Sequence, residues 1–268
     1  MPQITYRGLE ANGIPLIDPS HDTFAERLNS IRENSWFPVP HVQDEAAAIL
    51  VNLTGQTILA FAAIWRYDNG HGEISSKRIY NLASSAQFDA LLGRGGIQPH
   101  HNSFILPGSQ RLILTESVYG DNNDVIPPEV RMGGSFAGAA RSGASSRNVE
   151  PTHIELSLDV AFLDDGRVIG PDESGMLQAL TTEFEERRTL AREMAAALRN
   201  KATPGVLFDM LRPFAQGALH PANGGYPVRH HFIHMAMHTL LHQDIESIRI
   251  WADKEAQPPR LQLRRAVT

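Results

Sequence analysis

Apolar positions change their spacing near residue 172. Before it they fall in short runs or alternate; after it they recur every three or four residues. Ala48-Ile49-Leu50-Val51-Asn52 is one short run. Thr57 to Tyr67 is another, rich in β-branched and aromatic residues. The turn-forming tetrad Leu53-Thr54-Gly55-Gln56 between them predicts a β-hairpin. In the second run, Ile58, Ala60, Ala62 and Ile64 share one face, and Leu59, Phe61, Ala63 and Trp65 the other. Both faces are apolar, which predicts a central strand covered on both sides. Ser103 to Leu106, the turn Pro107-Gly108, and Arg111 to Tyr119 predict two more strands. Thr152 to Phe162 alternates, with Ile154, Leu156, Leu158, Val160 and Phe162 inward, as in a half-buried strand. Asp164-Asp165-Gly166-Arg167 then turns it into Val168-Ile169.

Flanking segments read differently. Residues 1–45 form an irregular N-terminal arm with one short helix, capped by Ser20 and carrying Thr23, Phe24, Leu28 and Ile31 on one face. Trp36 and Phe37, in a proline-punctuated stretch, anchor the arm to the body. From residue 173 the period is helical. Pro171-Asp172-Glu173-Ser174 opens a helix carrying Leu177, Leu180, Phe184, Leu190, Met194 and Leu198, which runs to about Asn200. Thr203-Pro204 starts a second helix, and Arg229 to Lys254 reads as a third. Gly120 to Pro151 has no usable period and reads as a long loop.

Several short strands with no interleaved helices predict an antiparallel sheet pair rather than a βαβ fold. The succession Ile49–Asn52, Thr54-Gly55-Gln56, Ile58–Trp65, Leu106-Pro107-Gly108 and Phe162–Gly170 resembles immunoglobulin and fibronectin-III-like sandwiches of uncharacterised bacterial proteins. The strand ending in Trp65 is similar to their core-tryptophan strand. The resemblance spans residues 45–172 and departs from true immunoglobulin domains in lacking the inter-sheet disulfide. The expected class is α+β: an antiparallel Ig-like β-sandwich (46–172) followed by C-terminal helices (173–268). The resemblance implies an adhesion or binding module.

Composition narrows the chemistry. The 268 residues include 24 Lys plus Arg and 30 Asp plus Glu, for a net charge of −6. That balance disfavours binding to a nucleic-acid backbone, which needs a basic surface. Zero cysteines exclude disulfides, Cys-based zinc or iron–sulfur sites and a thiol nucleophile. No apolar run reaches the roughly 18 residues of a membrane span. No export signal stands at residues 1–7, so the cytoplasm is the default expectation and export stays open.

Histidines supply the sharpest chemical feature. His230, His234, His238 and His242 recur every four residues, with His231 beside them. On one helix, such spacing makes a slowly drifting stripe, with neighbours about 6 Å apart at Cβ, so two imidazoles reach one divalent ion. A zinc or iron site needs a third ligand; His220, His153, His100, His101 and Glu246 are the candidates. The same histidines also suit a structural role beside the apolar stripe of Ile233, Met237, Leu240, Leu241 and Ile248. No His-Glu-x-x-His wording supplies a general base. Asp121 to Asp124 and Asp164-Asp165 lack the EF-hand order and read as turns. Gly133-Gly134-Ser135-Phe136-Ala137 misses the nucleophile-elbow pattern at its last position. No nucleotide-binding glycine fingerprint occurs. Glu150, Glu155 and Asp159 read as a solvated face, the last two on the same side of one strand.

The expectation is a non-catalytic binding protein with a protein partner and no cofactor, presenting loops near 68–72, 93–103 and 120–150. The alternative is a metal-dependent enzyme or metal-binding protein, using zinc or iron on the histidine stripe. Self-association through Met235, Met237 and Trp251 is a third, weaker expectation.

Overall fold

The computed structural model describes residues 3–34, 47–68, 70, 74–81, 85–94, 104–114, 152–217, 240, 242 and 244–266. The chain forms two compact units: Met1–Ser174 with Leu261–Thr268, and Gly175–Arg260.

The first unit holds the strands. They are β1 (Gln3–Arg7), β2 (Leu16–Ile17), β3 (Ala47–Val51), β4 (Ile58–Asp68), β5 (Ile74–Asn81), β6 (Gln110–Leu114), β7 (His153–Leu163), β8 (Arg167–Ile169) and β9 (Arg264–Arg265). Two helices join them, α1 (Phe24–Asn34) and α2 (Ser85–Leu91). Six strands form one sheet in the order β5-β4-β7-β8-β9, with β1 also on β7. The remaining three form a second sheet, β2-β3-β6.

The antiparallel Ig-like sandwich is not formed. β1 runs parallel to β7, from Gln3 opposite His153 to Arg7 opposite Ser157. β9 runs parallel to β8. Parallel neighbours need long connections, and here residues 3–17 and 264–265, outside the 46–172 sandwich, supply strands to the sheets. The β3–β4 hairpin also fails. β3 pairs with β2 and β6, whereas β4 pairs with β5 and β7, so the intervening turn carries the chain from one sheet to the other. Fully buried Asn52 builds that crossing. Its amide donates to the carbonyls of Gln56 (2.9 Å) and Ile105 (2.8 Å), and its oxygen accepts from the N–H and hydroxyl of Thr54. A turn closed this way needs no hairpin pairing to satisfy its polar groups. The α+β class itself stands.

Both faces of β3 are buried, and they serve different layers. Ala48 and Leu50 join Ile58, Phe61, Ala63, Trp65, Leu156 and Leu158 in the core shared with the large sheet. Ala47, Ile49 and Val51 pack on Phe24 and Leu28 of α1. The expected helix face of α1 is therefore real, but Ser20 does not cap it: its N–H and hydroxyl go to Asp18, and His21 Nδ1 receives the Thr23 N–H.

β7 does not alternate to its end. Leu158 pairs with Ala63 and Val160 with Ala62, leaving Asp159 as the extra residue of a β-bulge. The bulge reverses the phase. Ile154, Leu156 and Leu158 face the shared core, but beyond it Ala161 and Leu163 do, and Val160 and Phe162 do not. The Asp164–Arg167 turn forms as expected, with Gly166 at φ 85° donating its N–H to Leu163.

The second unit is helical: α3 (Met176–Arg199), α4 (Pro204–Gly217) and α5 (Ile245–Glu255). Its core gathers Leu190, Met194, Leu207, Leu211, Leu240, Ile248 and Ala252. Arg187 of α3 pairs at 3.0 Å with the almost fully buried carboxylate of Glu255 on α5. α3 starts at Met176 behind a left-handed Gly175, so Asp172 and Glu173 precede it and do not serve its first turn. The third helix does not run unbroken from Arg229: Asp244 (φ −85°, ψ 77°) leaves helical geometry and caps α5 by accepting the Ser247 N–H at 3.0 Å. Among the described residues, no helix is long and apolar enough to cross a membrane.

Candidate functional site

Register places a polar patch on the large sheet. Arg66 of β4 lies opposite Glu155 of β7, and Glu155 lies opposite Thr5 of β1, so the three share a row and a face. The next row is Ile64, Ser157 and Arg7, and the row before is Asp68, His153 and Gln3.

Side chains in these rows form a chain of alternating charge. Glu155 accepts from Arg7 at 3.1 Å through one oxygen and from Arg66 at 2.7 Å through the other. Arg66 also donates to the Ser157 hydroxyl at 2.8 Å and to Glu173 at 2.6 Å. Ser157 in turn lies 3.5 Å from the Ile64 carbonyl. His153 Nε2 meets the Thr5 hydroxyl at 3.0 Å. The order is Arg7, Glu155, Arg66, Glu173. Its centre is half-buried, while the end groups Arg7 and Glu173 are 73% and 59% exposed.

The Glu155 carboxylate and the Ser157 hydroxyl are engaged in recognition-type contacts. A general base needs a lone pair free for the substrate proton. Glu155 spends an oxygen on each guanidinium. Ser157 accepts from Arg66, which cannot take its proton.

Asp159 was expected on the same wet face as Glu155. The bulge re-aims it, and it is only 2% exposed. Its two carboxylate oxygens accept the N–H groups of Glu173 (2.7 Å) and Ser174 (3.0 Å), and its carbonyl accepts that of Asp172. Asp159 thereby fixes the segment that brings Glu173 to Arg66. Gly170 is required there: at φ 108°, an added Cβ would stand 2.3 Å from the Asp159 carbonyl oxygen.

Two tyrosines lie near the patch in sequence. Burial, then the nearby Asp18 charge, pushes the Tyr6 phenol up to about 12. Burial also raises that of Tyr67. Both favour the neutral phenol.

The histidine stripe is placed only at its end. His242 sits at an exposed turn position ahead of Asp244. His230, His231, His234 and His238 lie outside the described residues, as do His220, His100, His101, Glu150 and most of the loops 93–103 and 120–150. His153 contacts Thr5, and Glu246 pairs with Arg249 on α5. Among the described residues, no three His, Cys, Asp or Glu side chains gather as a metal site.

Sequence reasoning did not single out Arg66 or Arg7. The available signal was Arg66 itself, a charge ending an apolar run and two residues from Ile64 on the same face. Compared with protein families, curated proteins and solved structures, the chain matches none.

Proposed function

We propose that the chain is a non-catalytic binding protein that recognises a protein partner through the Arg7–Glu155–Arg66–Glu173 face of its large sheet. The observation that carries this reading is the geometry of the charges. The inner pair is held by mutual ion pairs, and the outer two groups point to solvent. A pre-organised row of alternating charges favours a surface of complementary order and repels others. Its exposed ends contribute little to folding, since exposed ion pairs give about 0–1 kcal/mol.

A photo-crosslinking amino acid at exposed Ser76, opposite Arg66 on β5, tests it. The full chain is expected to crosslink one protein in its native cell extract, and Arg66→Glu is expected to abolish the crosslink while far-UV circular dichroism shows the sheet retained. Crosslinking that survives Arg66→Glu removes the proposal.

A further inference from the structure

The chain leaves the sheet unit after Ser174 and returns at Leu261, and the two crossings are built differently. The exit is fixed by buried Asp159, which accepts two backbone N–H groups. The return lies along the sheet edge, with Ala266 packed on the core. Leu261 donates to Leu92 (3.4 Å), Arg264 to Gly166 (2.9 Å) and Ala266 to Val168 (2.9 Å). Only Arg264 and Arg265 are strand, and both are exposed.

Their charges have partners in the same unit. Arg265 donates to the Pro171 carbonyl and to Asp172 Oδ2, each at 3.3 Å. The Asp172 side chain is buried, while that of Arg265 is 59% exposed. At Asp165, burial works upward, but the Arg167 N–H and guanidinium, and then Arg264, hold the carboxyl below its usual range.

We propose that residues 261–266 are a strap latched by Arg265 on buried Asp172, released by ionic competition while the sheet stays folded. Edge hydrogen bonds give about 1 kcal/mol each, and pairs with an exposed partner weaken as salt shortens the screening length. β4 and β7, buried in the core, belong to the globally protected part. Opening turns the return crossing from a fixed point into free chain; the exit stays held by Asp159.

Hydrogen exchange on the full chain, read by mass spectrometry, tests this. Peptides covering 261–266 are expected to exchange about tenfold faster in ~0.5 M salt than in ~0.02 M salt. Arg265→Ala is expected to be fast at both, and Arg265→Lys to restore salt dependence. Peptides from β4 and β7 are expected to stay protected throughout. Strap peptides that match the protection of β4 and β7 at both salts overturn the proposal, as does an Arg265→Ala variant indistinguishable from wild type.

Discussion

The two units solve the same problem, a buried charge, in opposite ways. In the sheet unit, Asp159 answers backbone: each oxygen accepts an N–H of the segment leaving the sheet. In the helical unit, Glu255 answers a side chain, the Arg187 guanidinium of another helix. A backbone-bound carboxylate fixes the course of the chain, and an interhelical ion pair fixes which faces meet. The first is charge-assisted hydrogen bonding to groups that need partners anyway. The second carries desolvation of both ions, so its net stabilisation is small while its loss is costly.

Trp65 marks the strongest point of the sheet unit and sets the scale. It is fully buried in the core shared by both sheets, yet its indole N–H has no hydrogen-bond partner among the described residues. Trp65→Ala should lower the unfolding free energy of the sheet unit by about 3–5 kcal/mol. Trp65→Phe should cost clearly less, because it removes an unsatisfied buried donor along with the lost contacts. Chemical denaturation of the full chain reads both. Equal losses would mean that the N–H finds a partner in solution.

Asp159→Ala and Glu255→Ala sharpen the comparison itself. Each is expected to cost about 3 kcal/mol, by stranding two backbone donors in one case and a guanidinium in the other. Conservative replacement should separate them. Asp159→Asn offers one acceptor for two donors and should keep most of the loss. Replacing Arg187 and Glu255 together by Met and Leu should recover much of it, as buried ion pairs yield to apolar packing. A double variant no better than Glu255→Ala would show that the pair is needed for packing as well as charge.

A weaker effect is expected in alkali. The Tyr6 phenol is raised from 10.0 to about 12 in the folded chain, so its stabilising contribution is complete below pH 10. It is lost as the pH climbs from 10 towards 12. Denaturation midpoints of Tyr6→Phe should therefore fall less steeply than wild type across that window; parallel curves would contradict the assignment. The smallest effect belongs to the exposed end of the polar face, where Arg7→Ala should change stability by under about 1 kcal/mol.

How much of this was legible depended on period. Helix spacing survives without knowledge of partners, so Leu190, Met194, Leu207 and Leu211 were readable as buried stripes, and Phe24 and Leu28 as the inner face of α1. Strand runs were readable too, but pairing was not. Nothing local tells β3 that its neighbours are β2 and β6 and not β4. β1 was missed because Gln3–Arg7 is short and mostly polar, and it becomes a strand by lying beside β7. The bulge was invisible because Asp159 falls where the alternation already expects a polar residue. The candidate site was legible only in part. Glu155 read as part of a solvated face, but its side chain is 15% exposed because Arg7 and Arg66 converge on it through tertiary geometry.

Affinity for the partner crosslinked at Ser76 tests the central reading most directly. Titration calorimetry should give a Kd at least about thirtyfold weaker for Arg66→Glu, a loss near 2 kcal/mol, with the fold intact. It should also give a loss for Arg7→Glu, whose guanidinium is the exposed end of the row. A Kd within twofold of wild type for both variants would mean that the charged face is a solvated surface and that recognition lies elsewhere.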